Sequence, residues 1–232
     1  MIHGPSLGIG AAMASLVLIA VFFGLGVVGY EPELSIEQAL PAQPSDTVTT
    51  ETFLANGSPF LGDPDAPVTL VEFGDYQCQA CNRFFHNTED ALIEKYINTG
   101  QVRMIFKDFN IIGPDSVTAS HGAHCANEQG LFWEYHDILY ENWAGENNGW
   151  ASAENQAEFA REIELDMQRW SECVETGRYS HSILASNNDA RNLLKITGTP
   201  AFFVVGPDEK ISQIQGAQPF SVFESTINTH LK

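Results

Sequence analysis

The chain opens with a long apolar segment. Residues 4–30 carry no charged side chain, and the strongly apolar part, residues 9–28, is 20 residues long. At about 1.5 Å per residue, a helix of that length spans the roughly 30 Å hydrocarbon core of a bilayer. A cleaved secretory signal is the alternative, but such signals have a shorter apolar stretch and a basic leader. The pattern therefore predicts one transmembrane helix, retained as a signal anchor, within residues 1–30.

Polar residues dominate the next segment. Residues 31–66 show no sustained apolar period and contain five prolines and seven carboxylates. A proline-containing segment with charges of one sign is extended and self-repelling. We therefore expect residues 31–56 to form an acidic tether, in which Asn56-Gly57-Ser58 is a lone N-glycosylation sequon.

From residue 57 the pattern alternates between strands and helices. The β-branched, apolar run at residues 67–73 predicts a strand buried on both faces, and Gly74 and Asp75 end it. Helical spacing then predicts a helix from about residue 79 to 98, closed by Asn98-Thr99-Gly100. Further strand-like runs lie at residues 102–107 and 201–205. The pattern predicts an α/β domain over residues 57–232.

A largely helical period runs from about residue 114 to 195. Two apolar faces mark it, one with Phe132, His136, Leu139 and Trp143 and the other with Phe159, Ile163 and Met167. A histidine on such a face is more often a hydrogen-bonded core or boundary residue than a catalytic group. We interpret His136 in that way.

Composition narrows the functional classes. The 232 residues include 30 Asp and Glu against 11 Lys and Arg, a formal charge of -19, and 44% are hydrophobic. The hydrophobic share excludes a disordered chain. The negative charge argues against nucleic-acid binding, because phosphate backbones repel such a protein. No Lys or Arg precedes Arg83, so the positive-inside rule cannot orient the predicted anchor.

A Cys-x-x-Cys pair lies where the first predicted strand passes into the first predicted helix. Cys78 and Cys81 enclose Gln79-Ala80. A helix start places the first sulfur beside unpaired backbone N–H groups and the positive end of the dipole, which favours the thiolate. The spacing keeps the second sulfur within disulfide distance. Cys78 is the candidate nucleophile, and Cys81 is the candidate buried resolving thiol.

Two structural interpretations of this pair stay open. The pair could be half of a zinc site, but its other candidate sulfurs, Cys125 and Cys173, are 48 positions apart, unlike zinc-ribbon or finger spacing. It could also be a static disulfide. We expect no metal site and no cofactor.

A carboxylate interrupts the first predicted strand. Glu72 lies in the apolar run of residues 68–73, six positions before Cys78. Burying its carboxylate costs free energy unless the group has a charged or hydrogen-bonding partner, or a function that requires burial. We predict that Glu72 lies under the cysteine pair and exchanges a proton with Cys81, with Lys107 as its partner. A solvent-facing position at the strand end is the alternative.

A proline precedes the last apolar run. Thr199-Pro200 is followed by residues 201–205, and proline before a buried strand is common because it cannot donate to the sheet. Together with the cysteine pair, the pattern favours a cis Thr199–Pro200 loop facing the sulfurs. Its backbone could pair with an extended substrate peptide.

Three ordered stretches of the sequence resemble the DsbA-like thiol:disulfide oxidoreductases. They are GSPFLGDPDAPVTLVEFGDYQCQACNRFF, CANEQGLFWEYHDILY, and KITGTPAFFVVG followed by QIQGAQPFSVFESTI. The resemblance covers about residues 57–231. It implies a thioredoxin-like fold with an inserted helical subdomain at about residues 114–195.

The resemblance also implies residue roles. Cys78 matches the family's nucleophilic cysteine, Cys81 the resolving one, Glu72 the buried acid and Pro200 the cis-proline. The Gln79-Ala80 dipeptide departs from the Pro-His pair of the best-known oxidases of the family.

Similar family members often carry a second cysteine pair, which implies a structural Cys125–Cys173 disulfide. Two free buried thiols are the alternative. A structural disulfide persists in an oxidising compartment, so the expected location is the cell membrane, single-pass, with the domain on the extracytoplasmic side.

These inferences predict an anchored thiol:disulfide oxidoreductase, an oxidase milder than the strongest ones. Its expected partners are unfolded or partly folded secreted proteins and a membrane partner that reoxidises it. A disulfide reductase or isomerase is one alternative. A non-catalytic anchored binding module with structural disulfides is another.

Overall fold

The computed structural model describes residues 48–232. The predicted transmembrane helix at residues 9–28 and most of the expected tether lie outside the described residues. Within residues 48–232, no helix combines the length and the apolar character needed to cross a membrane.

One mixed four-stranded sheet organises the described residues. Its strands are β1 (Val68–Gly74), β2 (Val102–Asp108), β3 (Ala201–Val205) and β4 (Ile211–Gln215). They lie in the order β2-β1-β3-β4, with β1 and β2 parallel and the other neighbours antiparallel. Every residue of the central strand β1 is buried, as its unbroken apolar run predicts.

A helical crossover joins the parallel strands β1 and β2. It consists of α2 (Gln79–Phe84), a π-helical turn (Phe85–Glu89), α3 (Asp90–Leu92) and a second π-helical turn (Ile93–Ile97). The predicted extent, residues 79 to 98, agrees with these bounds to within a residue. Gly100 follows with a φ of +71°, a left-handed conformation that a residue with a Cβ rarely adopts.

Five helices fill the connection between β2 and β3. They are α4 (Pro114–Asn127), α5 (Phe132–Glu141), α6 (Ala153–Glu162), α7 (Met167–Glu175) and α8 (Ser180–Asn188), which a π-helical turn (Asp189–Leu193) extends. This is the helical insertion that the period over residues 114–195 predicts. The chain ends in α9 (Phe220–His230), which packs against β3 and β4.

The packed domain begins before residue 57, earlier than the sequence suggests. The short helix α1 (Thr50–Leu54) buries Phe53 to 1% exposure. Ser58 N donates to Phe106 O at 2.8 Å, so the segment also runs along β2. The sequence pattern misses this attachment because one apolar residue in a polar segment produces no period.

Candidate active site

The cysteine pair lies at the start of α2, at the carboxyl end of β1. Cys78 is the residue that caps α2, and Cys81 lies in its first turn. Cys78 is 6% exposed and Cys81 is fully buried, and both are thiols in this structure. Of the two sulfurs, that of Cys78 is therefore the one that solvent and a partner thiol can reach.

The turn between β1 and α2 is held by Asp75. Its Oδ1 accepts a hydrogen bond from Gln77 N at 2.9 Å, and its Oδ2 accepts from Ile111 N and Ile112 N. Its backbone O accepts from Cys78 N at 2.9 Å. One buried carboxylate thus ties the cysteine turn to the loop after β2. From the sequence, Asp75 was expected only to end the strand.

The surroundings of Cys78 stabilise its thiolate. A hydrogen bond from the Cys81 thiol is the largest cause that lowers the Cys78 pKa, to about 6. Contacts with Thr199 and the backbone N–H groups of Cys81 and Ala80 lower it further, while burial acts in the opposite direction. Cys78 therefore has the chemistry of a nucleophile and of a good leaving group at neutral pH.

Cys81 has the opposite character. Burial raises its pKa well above the ordinary value for a thiol, and the hydrogen bond to Cys78 and the charges of Cys78 and Glu72 raise it further. Cys81 is therefore protonated whenever Cys78 carries the negative charge. The two thiols divide their roles because one accepts the hydrogen bond that the other donates.

Glu72 is buried on the same side of the sheet as the cysteines. It is 1% exposed, and neither carboxylate oxygen has a hydrogen-bond partner among the described residues. Burial, with a smaller contribution from the charge of Cys78, raises its pKa well above the usual range for a carboxylic acid. Glu72 is therefore a buried acid that is protonated at neutral pH, and the solvent-facing alternative is wrong.

The predicted pairing of Glu72 with Lys107 is also wrong. In the parallel register of β1 and β2, Glu72 is opposite Phe106, and Lys107 is opposite Phe73. Because side chains alternate between faces, Lys107 points to the other side of the sheet. Its Nζ donates to Thr52 O and Ala55 O and pairs with Asp189 at 3.1 Å.

The Thr199–Pro200 peptide bond is cis and lies against the cysteine pair. Cys78 Sγ donates to Thr199 O at 3.4 Å. Pro200 O accepts a hydrogen bond from Gly216 N, so the residue directly after β4 holds the loop in place. The structure thus brings together Cys78, Cys81, Glu72, Thr199 and Pro200, the five residues that the sequence singles out.

A loop after α5 completes the surroundings of the pair, and the sequence did not point to it. Glu146 Oε1 accepts a hydrogen bond from Gln79 N at 3.0 Å, at the first turn of α2. Trp143 Nε1 donates to Gln77 O, and Asn147 N donates to Gln77 Oε1. Nothing in the local sequence of this loop indicates that it lies beside cysteines more than 60 positions earlier.

Cys125 and Cys173 form a disulfide with each other, linking α4 to α7. Their sulfurs are 2.04 Å apart, and both residues are buried. Since the two sulfurs are bonded to each other, they are not ligands for a zinc ion shared with Cys78 and Cys81.

The domain matches a known family and several known proteins. The Thioredoxin_4 family, described as thioredoxin, matches residues 54–228. A "Probable disulfide bond formation protein D" of Bacillus anthracis is 29% identical over 160 residues, covering 67% of this chain and 73% of that protein. "Disulfide bond formation protein D" of Bacillus subtilis is 24% identical over 193 residues, covering 82% and 84%.

Solved structures agree in fold. The oxidised form of BdbD from Bacillus subtilis has a TM-score of 0.67 at 23% identity, covering 75% of this chain and 92% of that one. The α-DsbA1 protein of Wolbachia pipientis has a TM-score of 0.68 at 24% identity, covering 79% and 96%. The family match spans most of the chain, and both Bacillus relatives are named for disulfide bond formation. The chain therefore belongs to the thioredoxin family, among its DsbA-like thiol:disulfide oxidoreductases.

Proposed function

We propose that this protein is a membrane-anchored oxidase that introduces disulfides into secreted or surface proteins through Cys78 and Cys81. The observation that carries the proposal is the contrast between the two thiols. Cys78 has a pKa of about 6 beside the cis Thr199–Pro200 loop, and Cys81 is buried with a raised pKa. This contrast gives the pair a defined attack site and a defined order of bond breaking.

The oxidised enzyme carries a Cys78–Cys81 disulfide. A substrate thiolate attacks Cys78 Sγ, the Cys78–Cys81 bond breaks, and Cys81 leaves with the electron pair. A second substrate thiolate then attacks the substrate sulfur of the mixed disulfide, and Cys78 leaves as a thiolate. The substrate loses two electrons and gains a disulfide, while the enzyme gains two electrons and becomes the dithiol.

Glu72 supplies the proton that Cys81 needs on leaving. A Cys81 thiolate in an apolar interior is unfavourable, and the raised pKa of Glu72 keeps this acid protonated at neutral pH. In the reverse direction, during reoxidation, Glu72 takes the proton back. Its lack of a hydrogen-bond partner among the described residues leaves it available for this transfer.

The substrate lies along the cis loop. An extended peptide that pairs with the backbone of Thr199 has its cysteine close to Cys78, because Cys78 Sγ is 3.4 Å from Thr199 O. Backbone pairing is independent of side chains. It therefore suits an enzyme that acts on many unfolded or partly folded proteins.

The low Cys78 pKa favours oxidation of substrates over their reduction. At pH 7, a pKa of about 6 stabilises the reduced enzyme by about 1.4 kcal/mol relative to an ordinary thiol, or about 30 mV for two electrons. A gain of that size supports a mild oxidase rather than an extreme one. A disulfide reductase or isomerase is the competing direction.

The Cys125–Cys173 disulfide supports an extracytoplasmic location, because such bonds persist in oxidising compartments. The apolar segment at residues 9–28 supports a single-pass membrane anchor, since it has the length of a transmembrane helix. A membrane protein that accepts the electrons of the reduced pair would complete the cycle.

The test is the reduction potential of the Cys78–Cys81 pair, measured by equilibrating the full chain with glutathione buffers and trapping its thiols. We expect a potential clearly above the about -270 mV of thioredoxin. A value at or below it would identify a reductase. A Cys125→Ala/Cys173→Ala double variant is the control, because its Cys78–Cys81 potential should match that of the wild type.

Thiol labelling of the mildly reduced protein tests the catalytic role itself. Cys78 should react well before Cys81. If Cys78 reacts no faster than an ordinary exposed thiol, the protein is a binding module with structural disulfides.

A further inference from the structure

Three potential metal ligands meet on the crossover and α5. One imidazole nitrogen of His136 and one carboxylate oxygen each of Glu89 and Asp137 lie within 4.8 Å of one another. Glu89 ends the first π-helical turn of the crossover, and the other two residues lie on α5. The cluster includes none of the four cysteines.

Burial makes this cluster different from a patch of surface carboxylates. Glu89 is 2% exposed, and its Oε2 has no hydrogen-bond partner among residues 48–232. His136 is fully buried, and its Nε2 also lacks a partner there. Burial raises the pKa of Glu89 to about 8, so without a cation this acid is protonated at neutral pH. Buried polar atoms without a partner are rare in folded proteins, so these two leave ligand atoms available to a cation.

Across the described residues, the existing contacts within the cluster leave Glu89 Oε2 without a partner. His136 Nδ1 and Asp137 Oδ1 are 3.0 Å apart, but the Asp137 side chain is 50% exposed. No ion pair within 4.0 Å joins Glu89 to His136 in the described part of the chain. The three ligand atoms nevertheless lie within 4.8 Å of one another, close enough for one ion to contact all three.

An opening to solvent reaches Glu89 and Asp137, while His136 lies behind them and does not line it. A cavity of about 220 Å³ is lined by Glu89 and Asp137 together with His86, Asp90 and Glu141. His86, Asp90 and Glu141 are all titratable, and two of them are acidic, so the entrance of the cavity attracts cations. Because Glu89 lines this cavity, an entering ion can reach it.

We propose that Glu89, His136 and Asp137 form a binding site for a divalent transition-metal cation of the Zn²⁺ class, with its remaining coordination position open to the cavity. One nitrogen and two carboxylate oxygens suit Zn²⁺, whereas Ca²⁺ and Mg²⁺ prefer oxygen ligands alone. Ligands at Zn²⁺ distances in a tetrahedral arrangement are about 3.4 Å apart. Small side-chain rotations bring atoms within 4.8 Å to that spacing.

Zn²⁺ titration of the full chain tests this site. The protein is used without a histidine tag and with the Cys78–Cys81 pair oxidised, so that no thiolate competes for the ion. Calorimetry should show one Zn²⁺ bound per chain, and Zn²⁺ should raise the melting temperature. Glu89→Gln and Asp137→Asn should each weaken binding at least 10-fold. Glu134→Gln, which removes an exposed carboxylate from the same helix α5, should bind as the wild type does.

The melting temperature without metal separates loss of the site from loss of the fold. Glu89→Gln should melt close to the wild type, because glutamine keeps the size of the buried, protonated acid, yet it should lose the rise that Zn²⁺ produces. Unsaturable binding, wild-type affinity in Glu89→Gln, or tighter binding of Ca²⁺ than of Zn²⁺ would each overturn the proposal.

Discussion

At the scale of single residues, the chemistry depends on how differently three buried groups hold a proton. Cys78 loses its proton at about pH 6, while burial keeps Cys81 and Glu72 protonated well beyond their usual ranges. The three groups are close in space, so a charge on one raises the pKa of another. This arrangement concentrates the negative charge on the sulfur that a partner can reach.

The first prediction concerns pH. Because the folded pKa of Cys78 is lowered to about 6, its thiolate is present above that pH and is lost as the pH falls through it. Alkylation of the reduced protein at Cys78 should rise with pH around 6 and then level off. The thiolate ultraviolet absorbance should follow the same curve. A midpoint near 8.5, the value of an ordinary cysteine, would contradict the described surroundings of Cys78.

The second prediction concerns Glu72. Glu72→Gln keeps the shape of the protonated acid but cannot transfer a proton. We expect disulfide exchange to slow by on the order of 10-fold or more, with a changed pH profile, while the melting temperature stays close to that of the wild type. Stopped-flow oxidation of a dithiol peptide measures the rate. Glu94→Gln removes an exposed carboxylate on the same crossover and should leave both rate and pH profile unchanged.

At the scale of elements, the insertion is the part of the fold that needs its own support. Its helices pack mainly on one another around α4, which contacts α5, α6, α7 and α8. The Cys125–Cys173 disulfide ties α4 to α7 across a separation of 48 residues. Trp170 Nε1 also donates to Gly122 O, a second link between the same two helices.

The third prediction follows from this link. Closing a loop of 48 residues stabilises the folded state by about 4 kcal/mol in the chain-entropy model. Cys125→Ala/Cys173→Ala should therefore lower the free energy of unfolding by up to that amount. Denaturant unfolding measures the loss. The pKa of Cys78 should not change, and a shift in it would show that the disulfide also positions the active site.

The extent of the elements could be predicted from the sequence where the apolar pattern is regular. The strand β1, the crossover over residues 79–97 and the helical insertion all follow from periodicity. The attachment of residues 50–61 to β2 did not, because it depends on Phe53 and on backbone hydrogen bonds. Likewise, the π-helical turns could not be predicted, because the pattern of apolar positions does not distinguish them from α-helix.

At the scale of the whole molecule, one sheet presents two separate faces. The face with Glu72 and Phe106 belongs to the cysteines and the insertion, and the face with Phe73 and Lys107 packs against α1 and the end of α8. A single-residue offset between strands decides which residue joins which face. The charge of -19 bears on solubility and on the choice of partners, and it does not select the fold.

The sequence alone determined the local chemistry, because a Cys-x-x-Cys at the start of a helix, an acid in the strand before it and a Thr-Pro before a strand are short-range patterns. Only the tertiary structure decided which distant groups meet them. It separates Lys107 from Glu72, brings Glu146 to Gln79, and places Glu89 near His136. Strand register and helix packing fix such contacts. Both depend on how distant segments meet, which the spacing of residues along one segment does not determine.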